Sequence, residues 1–484
     1  METWLVVLVS ICLCVLMIKA LHSRHLPPGP LHLPIITNIL WLRKSFSELE
    51  PILRSLHAKH GPIITLHLWS GPNIFIADGS LAHEAVILNG AVFAGRPSIV
   101  ANKNIPISDQ PNITNSFYGT TWRVLRRNLT SVMLHPSQVK SFSGIRKRVL
   151  DDLLNRLLVL MCFGEDVDQK KIQEIKHLQR LVNVGFSGSG VLNFLPKVVS
   201  STLFRKRWQE LLHLRKAQKG ALVQLIDARK KAIENKLSMN EEDGGPNQRV
   251  IYYVDTLLNL QLPEENRKLN EDEVLALCSE FLIAGTDTTS TALEWVMANL
   301  VKCRDVKQRL VEEIGRVIGD REEKEVKEED LNNLPYLKAI ILEGLRRHPP
   351  SHYVVPHAVT EDVVLNGYLI PKKGTVNFMV AEIGWDPRMW EDPMAFKPER
   401  FLRSEFEGFD ITGNKEIKMM PFGAGRRTCP AYNMAMLHLE YFVANLVWNF
   451  EWKFPNGGDI DLSEKQEFTM VMKHPLQAQI HVRI

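Results

Sequence analysis

The first apolar block runs from Trp4 to Ile18, interrupted only by Ser10, and Lys19, His22, Arg24 and His25 follow it. At ~1.5 Å per residue, the stretch to Leu21 reaches roughly 27 Å as a helix, enough to cross a thin bilayer. Glu2 stands where a cleavable leader carries positive charge, and no A-x-A pattern follows, so residues 1–22 read as an uncleaved transmembrane signal anchor. The positive charge behind the span keeps the rest of the chain on the cytosolic side. Residues 23–31, with Leu26-Pro27-Pro28-Gly29-Pro30, form a stiff hinge, because proline fixes φ and restricts the residue before it. Two β-rich runs, Ile63–Leu68 and Ile74–Ile76, then predict a small hairpin joined at Ser70-Gly71-Pro72.

From about residue 118 helical periodicity dominates, broken by a polar stretch at Asn240–Gly245 with Pro246 that reads as an exposed loop. The longest helix is predicted to start at Asn270, a capping residue with Glu273 in the capping-box position, and to continue to about Val301. Thirty residues at ~1.5 Å each give about 45 Å, the width of a whole domain. Its middle, Ala284-Gly285-Thr286-Asp287-Thr288-Thr289, breaks the local rules: glycine and threonine are poor helix formers, and Asp287 puts a charge among apolar neighbours. Either a threonine back-bonds to a carbonyl and kinks the helix, or the inconsistency marks a functional site. No repeat or long linker divides residues 32–484, so one mainly α domain with a small β-sheet region is expected.

Composition adds mostly exclusions. Of 484 residues, 45% are hydrophobic and 24% charged, as in an ordinary globular core. A net charge of +4, without a Lys/Arg block interleaved with aromatics, argues against nucleic acid. Six cysteines (Cys12, Cys14, Cys162, Cys278, Cys303 and Cys429) contain no CxxC pair, which disfavours a disulfide framework and structural zinc. The sequons at Asn112 and Asn128 stay unmodified on the cytosolic side. His83-Glu84 starts an HExxH that fails at Ile87, and Gly185–Ser189 starts a nucleophile elbow that lacks its last glycine.

The strongest chemical signal is Phe422-Gly423-Ala424-Gly425-Arg426-Arg427-Thr428-Cys429-Pro430-Ala431. Glycines let a backbone approach a bulky planar ligand, and Arg427 can face an anionic group. Pro430 reads as the first residue of a helix through Met434, Leu437 and Tyr441, which would set Cys429 at a helix N-terminus, where a thiolate is stabilised. A buried free thiol is the ordinary alternative for one cysteine; the ten residues around it weigh against that.

Those ten residues resemble the haem-binding loop of the cytochrome P450 family, F-x-x-G-x-R-x-C-x-G, with Ala431 in place of the last glycine. Glu343-Gly344-Leu345-Arg346 is similar to the family's E-x-x-R, Pro398-Glu399-Arg400-Phe401 to its P-E-R-F, and Ala284–Thr289 to its oxygen-activation motif. Trp122–Arg126 matches W-x-x-x-R, and Pro356-His357 stands where a further propionate partner sits. The resemblance covers nearly all the chain and looks nearest to plant microsomal members, the group numbered 89, in Val380–Gly384 and Trp390–Pro393. It implies a cytochrome P450 fold, haem b with Cys429 as axial ligand, and a haem cradle of Trp122, Arg126, His357, Phe422, Gly425 and Arg427. It further implies a Glu343–Arg346–Arg400 structural cluster, Asp287 and Thr288 supplying protons during oxygen activation, and Gly285 leaving room for a diatomic ligand.

The activity implied is insertion of one oxygen atom from O2 into an apolar organic substrate. No dinucleotide fingerprint is present, so electrons come from a partner, by resemblance an NADPH-dependent cytochrome P450 reductase at the endoplasmic reticulum membrane. Two alternatives stay open: a haem-thiolate isomerase or lyase, disfavoured by Asp287-Thr288, and a remnant that no longer holds haem. The second arises at residues 148–164, where plant relatives carry roughly two dozen more residues; losing part of a buried helix leaves voids costing roughly 2–5 kcal/mol per large side chain. Thr37 and Trp385 also depart from the pattern, in place of Gly and Arg.

Overall fold

The computed structural model describes residues 25–30, 41, 46–68, 71–97, 110–149, 155–164, 167–187, 205–238, 250–322, 325–406, 408–455 and 459–483. The apolar segment at 1–22, Thr37 and the 240–246 loop lie outside them. Among the described residues no helix is long and apolar enough to cross a membrane. The hinge is partly described: Thr65 donates to the Pro28 carbonyl at 2.9 Å, and a Cβ on Gly29 would lie 2.0 Å from the Thr65 carbonyl oxygen. Only glycine lets that segment lie against the first strand.

Helix α1 (Phe46–His60) leads into β1 (Ile63–Leu68) and β2 (Gly71–Ile76), paired antiparallel with Ile63 opposite Ile76. Gly71 and Pro72 belong to the second strand, which starts three residues earlier than the sequence suggests. With β3 (His357–Ala358) and β4 (Thr375–Phe378) they form a sheet of order β1-β2-β4-β3, in which β2 and β4 run parallel. The remaining mass is helical: α2 (Thr120–Asn128), α3 (Ser143–Val149), α4 (Asn155–Phe163), α5 (Gln169–Ser187), α6 (Arg205–Ser238), α7 (Glu271–Lys302), α8 (Arg304–Ile318), α9 (Pro335–Arg347) and α10 (Tyr432–Asn449). A short hairpin, β5 (Glu464–Gln466) and β6 (Met470–Met472), packs against α7, and a last strand, Gln479–Val482, pairs with Phe450–Lys453.

Helix α7 is the spine. Its capping box is complete: Glu273 donates its amide to Asn270 Oδ1 at 2.9 Å, and the Asn270 amide returns to Glu273 Oε2 at 2.8 Å. The helix runs unbroken through Ala284–Thr289. Burial on nearly every side outweighs the poor local propensities. Thr288 does back-bond to the Ala284 carbonyl, at 2.6 Å.

The segment expected to be short is α3 and α4, with 150–154 outside the description. Leu157–Phe163 are all buried in the main core, so this stretch retains a fully apolar contact. A Cβ on Gly285 would come within 2.9 Å of Leu158 Cδ1. The bare face of Gly285 thus lies against the Leu158 side chain of α4. A polar loose end lies beside it, since Arg146 Nε reaches Glu328 at 2.7 Å while its buried Nη1 has no hydrogen-bond partner among the described residues. Both sequon asparagines are buried, Asn128 donating to Thr256 at 2.9 Å.

A buried network ties α1, the segment after α9, and β5. His352 Nδ1 lies 2.9 Å from both Glu50 carboxylate oxygens, and its Nε2 lies 3.3 Å from Glu464. His348 contacts the same Glu464 at 3.0 Å and stacks on Trp295 with ring centroids 4.0 Å apart. Trp385, the departure from Arg, stacks between the guanidinium groups of Arg54 and Arg347, at 5.1 and 5.4 Å. Burial would lower the pKa of His352, but hydrogen bonds with Glu464 and Glu50 outweigh it and raise the value from 6.5 to about 9. Burial lowers His348 to about 4. The raised group stabilises the fold fully below 6.5 and loses that contribution as pH climbs through 9; the lowered one contributes above 6.5 and loses it as pH falls towards 4. Unfolding midpoints are therefore expected to fall on both sides of neutrality, and His352→Gln to remove much of the alkaline decline. An alkaline limb unchanged in that variant would show that the charge on His352 does not matter.

Candidate active site

The Cys429 loop is a closed turn before α10. The Cys429 amide donates to the Phe422 carbonyl at 2.8 Å, and Gly423 and Gly425 take φ of 65° and 67°, in the left-handed region that favours glycine. Gly425 also abuts the π turn Glu84–Leu88: a Cβ there would sit 2.0 Å from the Val86 carbonyl oxygen. Helix α10 begins at Tyr432 with Ala431 at its cap, so Pro430 is still in the turn rather than the first helical residue. Cys429 is half-buried. Burial pushes its thiol pKa up, opposed by a hydrogen bond from the Ala431 amide and by the Arg126 guanidinium.

Beside the sulfur stands a group of cations. Arg126 of α2 donates to the Thr428 carbonyl at 2.6 Å. Arg427 reaches the carbonyls of Ala94, Ile113 and Ser116 at 2.8, 3.2 and 2.6 Å, and lies over the Trp122 ring at 4.5 Å. Trp122 Nε1 donates to the Ile113 carbonyl at 2.9 Å. His357, placed by β3, holds the Phe93 carbonyl through Nδ1 at 2.7 Å; burial and the charge on Arg96 lower its pKa to about 3, so it is neutral near pH 7. Arg96 completes the group. Burial and Arg427 lower Arg96 to about 9, while burial and Arg126 lower Arg427 to about 10.

None of these three arginines has an ion-pair partner among the described residues. Mutually repelling guanidinium groups that are buried or half-buried are costly unless an anion joins them. Haem brings two carboxylates and a metal cation for the neighbouring thiolate, so the residues present fit that group. Phe422 stands half-buried at the loop's start, its ring 6.3 Å from Tyr432.

On α7, the run of buried side chains opens at Ile283–Gly285 and again at Asp287 and Thr288. Asp287 Oδ2 accepts from Asn183 of α5 at 2.6 Å. Burial raises the Asp287 pKa, against the lowering effects of Asn183 and Arg180. The Thr288 hydroxyl is engaged with Ala284, so the two proposed proton carriers are neighbours without being bonded to each other. One turn on, Thr291 meets Thr469 at 2.8 Å, bringing the β5–β6 turn to the same stretch of helix.

Glu343 and Arg346 form a bidentate pair on α9, both bonds 2.8 Å, with both side chains at 0% exposure. Arg400 reaches Glu343 at 3.2 Å, the Lys397 amide donates to it at 2.8 Å, and Arg346 also holds the Gly384 carbonyl at 2.8 Å.

The family model for cytochrome P450 matches residues 27–161 and 157–482. The chain belongs to the cytochrome P450 family. It is 48% identical to cytochrome P450 89A9 of Arabidopsis thaliana over 95% of this chain and 94% of that one, and 32% identical to cytochrome P450 71A1 of Persea americana over 88% of each. A zebra fish cytochrome P450 structure with abiraterone shares the fold, with a TM-score of 0.69 and 20% identity over 90% of this chain and 100% of that one.

As a P450 the protein is an oxidoreductase of the monooxygenase type, and its family implies a haem iron cofactor. The two matched segments meet at 157–161, inside the stretch read as shortened. One member of this cationic group escaped the sequence reading: Arg96, 6% exposed, with Nε on the Thr114 carbonyl at 2.8 Å and Nη1 on those of Val355 and Pro356 at 3.0 Å. Its signal was a charged residue between Gly95 and Pro97, directly after the apolar Val92-Phe93-Ala94.

Proposed function

We propose that this P450 inserts one oxygen atom from O2 into a small apolar organic molecule, using electrons that an NADPH-dependent reductase supplies. The observation that carries this reading is the half-buried Cys429 thiol beside three arginines, Arg96 buried and Arg126 and Arg427 half-buried, with no carboxylate partner among the described residues. Haem b bound there supplies the oxygen chemistry, with thiolate donation favouring O–O cleavage. Cys429 would hold the haem iron through its sulfur, Arg126, Arg427, Arg96, Trp122 and His357 would hold its carboxylates, and Phe422 and Gly425 would line it. Asp287, whose Oδ2 is tethered by Asn183, would take up protons, and Thr288, whose hydroxyl donates to the Ala284 carbonyl, would pass them on. Glu343, Arg346 and Arg400 hold the segment leading to the cysteine loop. An apolar ligand suits the exposed apolar side chains next in sequence to these residues: Val184 follows Asn183, Phe468 precedes Thr469, and Phe117 and Val355 adjoin Ser116 and Pro356. Residues 1–22 anchor the chain in the endoplasmic reticulum membrane, 23–31 are the hinge, and 32–484 form the cytosolic catalytic domain, shortened around 148–164.

A second reading has an observation of its own. The break in the family match at 157–161 and the orphaned Arg146 Nη1 favour a folded chain that holds haem poorly. A carbon monoxide difference spectrum of the reduced protein in membranes separates the two. A thiolate-type red-shifted Soret band, absent in Cys429→Ala, is expected; a well-expressed chain without a haem signal would establish the second reading.

A further inference from the structure

Glu280 lies on α7, two helical turns before Asp287, and takes no part in the scheme above. Its carboxylate accepts the amide of Ile113 at 2.9 Å on Oε2 and that of Thr114 at 2.6 Å on Oε1. The turn it grips is self-closed: Asn115 donates to Asn112 Oδ1 at 2.7 Å, the Asn112 amide to Ser116 Oγ at 2.9 Å, and the Ser116 amide to the Asn112 carbonyl at 3.2 Å. With two of its amides committed to Glu280, the same turn offers its carbonyls to the cationic group. Ile113 accepts from Trp122 and Arg427, Thr114 from Arg96, and Ser116 from Arg427. One five-residue turn thus carries contacts to three of the side chains assigned to the haem carboxylates. The Ile113–Thr114 peptide unit lies between the Glu280 carboxylate on its N–H side and the Trp122 and Arg427 donors on its C=O side, an arrangement in which each bond polarises the next.

We propose that Glu280 is a positioning residue: by clamping the 112–116 turn to α7 it fixes Arg96, Trp122 and Arg427 as the frame that retains the haem carboxylates. This rests on the haem reading of the Cys429 loop. The clamp also makes the frame and the proton-carrying stretch of α7 one mechanical unit, since Glu280 and Asp287 share a helix face at i,i+7.

Glu280→Gln keeps the shape but puts an amide NH2 towards a backbone N–H, so one of the two charge-assisted bonds is lost. Transfer of haem from the full-length variant to apomyoglobin is expected to accelerate about tenfold or more, on the scale of one hydrogen bond to a charged group. The carbon monoxide spectrum should stay thiolate-type, and Glu280→Asp should recover part of the retention. Amide exchange at Ile113 and Thr114, read without reference to haem, should lose protection in Glu280→Gln. Glu273→Gln is the control: it removes a mostly buried carboxylate from the same helix, paired with Arg267 and the Asn270 amide, and should lower stability without loosening haem. Equal haem loss in Glu273→Gln and Glu280→Gln would overturn the proposal, as would transfer within about twofold of the unsubstituted protein. A parent chain that holds no haem would sink the haem reading, while unchanged amide exchange in Glu280→Gln would sink the clamp; the two failures are separate.

Discussion

Arg346→Ala is expected to destabilise the protein by about 3–5 kcal/mol, a large share of the roughly 5–15 kcal/mol that holds a domain folded. Glu343 and Arg346 are fully buried, so the alanine leaves a carboxylate in the core with only Arg400 at 3.2 Å and the Lys397 amide at 2.8 Å to balance it. The Gly384 carbonyl loses its donor in the same step. Denaturant unfolding of the purified protein, or the yield of soluble folded chain, reads the loss. A cost below about 1 kcal/mol is what an exposed pair shows, and would mean that water reaches the cluster. Removing all three charges with Glu343→Gln, Arg346→Met and Arg400→Met should cost less than Arg346→Ala alone, because no unpaired charge then remains buried. The charge is retained to organise the segment that carries Arg400 and then the cysteine loop, not for its net contribution to stability.

The features legible in the sequence were those whose physics is local. Asn270 and Glu273 stand three residues apart, and the capping box they build starts α7 where the pattern places it. Glu343 and Arg346 face one another because i,i+3 residues share a helix surface. What was hidden depends on contacts between distant parts of the chain. Arg96 meets carbonyls 18, 259 and 260 residues away, and Glu280 meets amides 166 and 167 residues away, so neither shows a partner nearby in the sequence. Gly285 shows another distant contact, since its bare face lies against the Leu158 side chain of α4, 127 residues earlier in the chain. Pro430 carries the signal for a helical first residue, but the bond from the Cys429 amide to Phe422 keeps the chain turning until Tyr432. The shortened stretch was expected to leave voids, whereas Leu157–Phe163 stay packed and the visible penalty is a buried guanidinium nitrogen at Arg146.

Gly425→Ala is expected to abolish haem loading while leaving the fold in place. Two effects meet at this position: a φ of 67°, which costs a non-glycine residue about 1–2 kcal/mol, and a Cβ that would lie 2.0 Å from the Val86 carbonyl oxygen. The second cannot be relieved by a side-chain rotation, since the obstacle is backbone in the π turn Glu84–Leu88; either that turn or the cysteine loop must move. The loop is the smaller body, and its shift carries Arg427 and Cys429 away from Arg126 and Trp122. Gly423→Ala isolates the first effect, having a φ of 65° but a nearest foreign atom, Val354 Cγ1, at an ordinary 3.6 Å. Haem-to-protein ratio and the carbon monoxide spectrum should therefore survive in Gly423→Ala and vanish in Gly425→Ala, with helical circular dichroism kept in both. If Gly425→Ala loads haem as Gly423→Ala does, the π turn yields instead of the loop. The close approach to Val86 would then be a packing detail, with no hold on where the sulfur sits.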